Sequence, residues 1–265
     1  KAVSYARDRV QSRPVDGSMN QSAPIIHHPD VKRMLMTMRA YTEGCRALAT
    51  AAAAAFDAAH HHTDAETRQA NKAFYEFMVP LVKGFSTEMS LEVTSLGVQV
   101  HGGMGFIEET GAAQYYRDAK ILTIYEGTTA IQANDLVGRK TARDGAQYAL
   151  ALAAQIAETE AALLASGTDD AAVMADALKQ ARLAFEASAQ FIASNASTDP
   201  NAAFAGSVPY LMLTGMVMAG WQMARAALIA QQRLDAGDGD GAFHAAKIAT
   251  TRFFADHFLA QASTF

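Results

Sequence analysis

Two short segments interrupt an otherwise helical pattern, and they hold the residues best suited to chemistry. The first is Gln99-Val100-His101-Gly102-Gly103-Met104-Gly105-Phe106. Clustered glycines let a backbone turn sharply, and with no Cβ in the way another molecule can approach closely. Taken by itself this is a helix C-terminus followed by a loop. It is not a dinucleotide fingerprint, because no strand precedes it. The second is Arg117-Asp118-Ala119-Lys120, followed by Tyr125-Glu126-Gly127-Thr128-Thr129-Ala130-Ile131-Gln132. Glu126 falls just before a helix, beside a glycine and a threonine that can cap it. Taken by itself it is a solvated glutamate near a helix N-terminus, favoured there by the helix dipole.

Together the segments carry a stronger message. Gln-x-x-Gly-Gly-x-Gly-Phe, then Arg-Asp-Ala-Lys-Ile, then Tyr-Glu-Gly-Thr-x-x-Ile-Gln resembles, in order, spacing and residue type, the C-terminal signature of the acyl-CoA dehydrogenases. Tyr5 to Arg13 is similar to that family's arginine-containing segment further upstream. The resemblance covers residues 1 to about 140. It implies the C-terminal four-helix domain of subunits that also have an N-terminal helical domain and a central β-domain. It also implies FAD, lying between the β-domain and the helical domain and reaching a neighbouring subunit.

Position by position, the resemblance makes Glu126 the catalytic base, taking the pro-R α-proton of an acyl-CoA while the β-hydrogen leaves as hydride to the flavin. A carboxylate that substrate dries becomes a stronger base. The Glu126 amide would donate to the thioester carbonyl, in an oxyanion hole where each donor is worth roughly 3 kcal/mol. Tyr125 would line the substrate pocket and Gly127 would leave room for the thioester. Thr128 matches a flavin-bonding position. Gln99, Gly102 and Gly103 match the segment that contacts FAD of the adjacent subunit. Arg9 matches an arginine on the FAD pyrophosphate, with Gln11 a neighbouring polar contact. Two positions depart from the pattern: Ala130 stands where some members have a cofactor-contacting glutamine, and Pro29 replaces another.

Residues 141–265 resemble the extra helical domain of a longer subfamily, whose motif continues Asp-Leu-Val-Gly-Arg-Lys, as Asp135 to Lys140 do. The expected protein is the C-terminal part of a FAD-dependent acyl-CoA dehydrogenase. Its expected partners are an acyl-CoA substrate, an electron-transfer flavoprotein as acceptor, and further copies in a homodimer or homotetramer. An acyl-CoA oxidase would use the same base with oxygen as acceptor, and a non-catalytic helical scaffold would need neither motif. Lacking the β-domain, the chain alone is expected to bind FAD poorly and not to turn over.

Positioning these residues requires helices, and the composition supplies them. Hydrophobic residues make up 50% of the chain and aromatics only 8%; alanine runs are frequent and prolines number six. The expected fold class is all-α: a four-helix up-and-down bundle over 1–140, its start truncated, followed by a second helical domain over 141–265. Ser4 to Arg13 read as the end of a helix. Asp30 is a good N-cap, and Val31, Leu35, Met38, Tyr41, Cys45, Leu48, Ala52 and Phe56 recur at helical spacing up to His60-His61-His62. A second stripe runs from Asp64 to Val79, with a break or kink expected at Pro80. A third stops at His101, where three glycines in four residues rule out a continuing helix. Helices are expected over 110–119 and 128–143, then 144–165, 169–196, 203–234 and 241–262.

The remaining features exclude other functions. A net charge of −5 argues against a nucleic-acid partner. Residues 1–140 carry 15 basic and 15 acidic side chains, and residues 141–265 carry 7 and 12, so the acidity belongs to the tail. The most apolar stretch, Val208 to Trp221, is too short for a membrane span of about 20 residues. A lone cysteine, Cys45, and no signal peptide fit a reducing, cytoplasmic location. No metal site is expected: His60-His61-His62 cannot all face one ion, and Asp235, Asp238 and Asp240 lack calcium-loop spacing.

Overall fold

The computed structural model describes residues 1–265, and it is helical throughout, with no strand beyond a single antiparallel bridge between Val10 and Pro24. Twelve α-helices run in chain order: α1 (Ala2–Asp8), α2 (Pro29–His61), α3 (Ala65–Pro80), α4 (Ser86–His101), α5 (Gly103–Phe106), α6 (Ala112–Leu122), α7 (Thr129–Asp135), α8 (Gln147–Ala165), α9 (Asp169–Asn195), α10 (Pro200–Ala205), α11 (Ser207–Asp235) and α12 (Gly241–His257). The chain forms two compact units. One comprises Lys1–Thr42 and Thr87–Tyr125, the other Glu43–Ser86 and Glu126–Phe265.

The first unit packs around Ala2, Ala6, Met34 and Val100, against which Ile25, Ile26, Val31, Leu35, Met38 and Leu96 are half-buried. Alanines at the α1 contact let its backbone come close, so a helix of seven residues can dock. Proline occupies the first position of α2, where the missing amide would have had no helical partner. Met34 and Met38 fill this core, as flexible thioethers do.

The second unit has the larger core, with Phe77, Phe85, Phe185, Phe254, Leu152 and Leu178 fully buried. α3 is capped by Asp64, whose carboxylate accepts from the Thr67 amide at 2.7 Å. α9 is capped by Thr168 and α10 by Asp199, with Pro200 at its first turn. α8 and α9 are clamped by a charge cluster in which Arg182 donates to Glu160 at 2.7 Å and to Glu186 at 2.6 Å. The side chains of Arg182 and Glu160 are only 13% and 9% exposed. Lys247 of α12 pairs with Glu43 of α2. Gly215 of α11 is needed where it stands, since a Cβ there would lie 2.5 Å from the Cβ of Phe85.

The structure modifies three expectations. Of the break or kink expected at Pro80, the structure excludes the break. The Leu81 amide turns back to the Met78 carbonyl, and the next turn widens so that the Ser86 amide reaches Leu81, five residues back. This π-helical stretch, Leu81–Phe85, absorbs the lost donor and carries the rod into α4. A second one, Leu136–Ala142, extends α7. The glycine segment does stop α4, at Gly102 (φ 58°, ψ −141°), but Gly103–Phe106 then forms a further helical turn. The helix expected over 203–234 divides at Gly206 into α10 and α11. α11 is buried along most of Tyr210 to Ala224, as its apolarity requires. By length and composition α8, rather than the 208–221 stretch, is the one helix long and apolar enough to cross a membrane; Leu152, Ile156 and Leu163 on it are buried within the unit.

Candidate active site

Arg9, Gln11, Gln99, Gly102 and Gly103 come together in the first unit, lining one cleft of about 640 Å³. Its geometry starts from the chain leaving α1. Arg9 and Gln11 lie on a segment pinned in extended form: the Gln11 amide donates to Ala23 at 3.0 Å, and the Ile25 amide donates to Arg9 at 2.8 Å. The Arg9 guanidinium is exposed and has no carboxylate partner. Across the cleft, the end of α4 presents Gln99 and the turn at Gly102. A positive φ with that ψ is open in practice only to glycine. A Cβ at Gly102 or Gly103 would meet nothing within 4 Å, so the backbone faces open space. Gly105 is different: a Cβ there would lie 2.2 Å from the Val98 carbonyl oxygen, so this glycine serves the turn itself.

Three further side chains hold the cleft in shape. His28 donates from Nε2 to the Gln11 carbonyl at 2.7 Å. His101, buried, donates from Nδ1 to the Gly97 carbonyl at 2.6 Å, and its ring packs tilted against Tyr5, with centroids 4.4 Å and planes 31° apart. That bond places a proton on Nδ1. The motif arginine, Arg117, is held by a double hydrogen bond to Glu108, Nη1 to Oε1 at 2.6 Å and Nη2 to Oε2 at 2.7 Å. This fork ties α6 to the exit of the glycine turn. It holds Glu108 below the usual carboxylate range.

Tyr125, Glu126, Gly127 and Thr128 form the turn between α6 and α7, and none of them lines that cleft. Glu126 has a φ of 50° and Gly127 a φ of 96°. A left-handed glutamate is uncommon and costs energy that its surroundings must supply. The residue is exposed, and neither its carboxylate nor its amide has a hydrogen-bond or ion-pair partner in the chain. Thr128 is the N-cap of α7, its hydroxyl oxygen accepting from the Ile131 amide at 3.3 Å. With the oxygen so engaged, the hydroxyl proton remains available to an outside acceptor. A Cβ on Gly127 would come within 2.8 Å of the Gln132 amide nitrogen, so the turn is packed from beneath. The arrangement presents an unpaired carboxylate and a free backbone donor side by side, on a conformation that is not relaxed.

These motifs have counterparts in known proteins. Residues 1–140 match the family described as acyl-CoA dehydrogenase, C-terminal domain, and the chain belongs to the acyl-CoA dehydrogenase family. Residues 152–264 match the description acetyl-CoA dehydrogenase C-terminal like. Over 262 residues the chain is 56% identical to 3-methylmercaptopropionyl-CoA dehydrogenase of Ruegeria pomeroyi, covering 99% of this chain and 44% of that protein. It is 38% identical to a broad-specificity linear acyl-CoA dehydrogenase of Mycobacterium tuberculosis, covering 97% and 44% respectively. The chain therefore spans under half the length of the curated relatives it matches. Its fold is that of an acyl-CoA dehydrogenase from Bacillus anthracis crystallised with FAD: TM-score 0.73, 20% identity, 99% of this chain and 44% of that one.

Proposed function

We propose that this chain is the C-terminal part of a FAD-dependent acyl-CoA dehydrogenase and that Glu126 is its catalytic base. The observation that carries the reading is the turn at Glu126, which combines a left-handed backbone, an unpaired carboxylate and an unpaired amide. A merely solvated glutamate shares the unpaired carboxylate but needs neither the left-handed backbone nor the unpaired amide. FAD, when bound, supplies the acceptor for the β-hydrogen of the substrate. The chain's own residues do the rest. Glu126 removes the α-proton of the acyl thioester, and its N–H donates to the thioester carbonyl as negative charge develops there. Gly127 keeps the approach to that carbonyl open, and Tyr125 lines the pocket.

The cleft of the first unit supports the cofactor assignment. Its unpaired Arg9 and uncovered Gly102–Gly103 backbone suit a ligand with a pyrophosphate. Gln11 and Gln99 would supply further polar contacts in that cleft, and, separately, the free hydroxyl proton of Thr128 would serve a flavin beside Glu126. The product is a trans-2-enoyl-CoA. From the family resemblance, the reading carries an electron-transfer flavoprotein as acceptor and a homodimeric or homotetrameric assembly.

The test uses the flavin-loaded full-length protein. In Glu126→Gln, FAD should stay bound while bleaching of the flavin absorbance by an acyl-CoA disappears. Bleaching at the parent rate in that variant would place the base elsewhere.

A further inference from the structure

A groove of about 850 Å³ in the second unit, between α2, α3, α8 and α11, is lined by none of the residues assigned to cofactor or substrate. Its floor is made of small side chains. Ala47, Ala51, Ala54 and Ala55 stand at i, i+4, i+7 and i+8 of α2 and so share one face. At about 1.5 Å of rise per residue they give a smooth strip roughly 12 Å long. Phe74 and Trp221 wall it, meeting edge to face with centroids 6.4 Å apart. Trp221 is fixed by its Nε1, which donates to Thr159 Oγ1 at 2.8 Å. A long, narrow apolar strip of this kind fits an unbranched chain better than a compact ring.

The polar groups on α11 point to the other end of the ligand. Arg225 lies over the Trp221 ring, 5.6 Å from its centroid, and its one hydrogen bond goes to the neutral Gln222 Oε1 at 2.8 Å. No carboxylate pairs with it, although Glu158 lines the same groove. Gln222 is 7% exposed, and its Nε2 has no acceptor at all. Buried donors without acceptors are rare in folded proteins. A guanidinium held by a neutral oxygen, next to an amide NH₂ with nothing to bond, is a pair of donors without an anion. Glu158 would repel a second negative charge.

We propose that this groove binds a linear aliphatic monocarboxylate, its chain along the alanine strip and its carboxylate bridging Arg225 and Gln222. The carboxylate replaces Gln222 Oε1 as the acceptor for Arg225. The terminal amide torsion, which is broad, turns to bring Nε2 onto the second carboxylate oxygen. Neither Glu126 nor the Arg9 cleft contributes, so the site stands or falls apart from the proposed catalysis.

Trp221 is the only tryptophan in the 265-residue chain, so its emission reports this groove alone. Titration of the chain with hexanoate, octanoate and decanoate should give a saturable change in Trp221 emission, with matching heats by calorimetry. Affinity should rise by up to about fourfold per methylene while the chain still finds floor. Arg225→Gln should weaken decanoate at least tenfold, and Ala54→Phe, which fills the strip, should abolish binding; both should keep the helical circular dichroism of the parent. The proposal is overturned if decanoate produces no saturable change, if affinity ignores chain length, or if decan-1-ol binds as tightly as decanoate. It is equally overturned if the parent ignores decanoate and sedimentation shows Ala54→Phe splitting an oligomer, for the groove would then be covered by a second copy.

Discussion

Replacing Glu126 by glycine should stabilise the protein while removing its proposed base. Glu126 is one of three non-glycine residues with positive φ, with Ser12 and Ala146. Left-handed backbone costs an L-residue roughly 1–2 kcal/mol. Glycine escapes that cost but loses roughly 0.5–1 kcal/mol more chain entropy on folding. Because the carboxylate makes no hydrogen bond or ion pair in the chain, no such bond is lost to offset the gain. The difference is about 0.5–1 kcal/mol in favour of Glu126→Gly. For a chain of 265 residues the unfolding entropy near the midpoint is about 0.6 kcal/mol/K, so Tm should rise by about 1–2 °C. Glu126→Ala is the control, since it removes the same carboxylate and keeps the Cβ and the strain, and its stability should equal the parent's. Guanidinium titrations followed by circular dichroism measure both variants, and flavin bleaching of the full-length protein measures function. If the glycine variant is no more stable than the alanine variant, the backbone at Glu126 is not strained and the argument from its conformation is wrong.

Other substitutions probe the rest of the structure. Gly127→Ala places a Cβ at φ 96° and against the Gln132 amide, so it should destabilise by more than about 1 kcal/mol in the same titrations and slow bleaching. Arg182→Met strands the buried carboxylate of Glu160 and should cost about 3 kcal/mol, most of it recovered in Arg182→Met/Glu160→Met; an equally unstable double variant would show that the cost is lost packing, not lost charge pairing. Burial pushes the Cys45 thiol up to about 11, the Ser86 hydroxyl opposing it, so at pH 8 roughly one thiol in a thousand is ionised. Iodoacetamide should therefore label Cys45 in unfolded protein and spare it in the native chain; equal rates would contradict this.

The elements that place the site were largely legible in the sequence, because each has its own local mark. Asp64 announced α3, and the apolar recurrence from Val31 to Phe56 announced α2. Gly102 ended α4 where only glycine could turn. The assembly of Arg9 with the glycine turn was legible only through the order of the motifs, since nothing local joins residue 9 to residue 102. Other features leave no such mark. A π turn costs one residue of spacing and needs no special side chain, so Leu136–Ala142 reads as ordinary helix and Pro80 reads as a break. The fork between Glu108 and Arg117 spans nine positions around Gly111, too far for helical pairing rules; opposite charges flanking a glycine turn were the available signal. The left-handed conformation of Glu126 was invisible because glutamate has no preference for it, and the turn imposes it from both sides. Gly206 falls inside the apolar pattern of 203–234, yet Asp199 and Pro200 start a separate short helix that ends at it.

The wide turn after Pro80 sets the azimuth of Phe85, which lies closely packed on Gly215. Each residue advances an α-helix by about 100°, so excising one position from Leu81–Phe85 would restore ordinary helical spacing and swing the Phe85 side chain by that angle. Phe85 would leave its seat on α11, and a pore the size of a benzene ring would open there. An alteration that looks harmless in an alignment, a single-codon deletion within a continuous rod, should thus be among the least tolerated changes in the chain, whereas one in the Ser18–Gln21 loop should pass almost unnoticed.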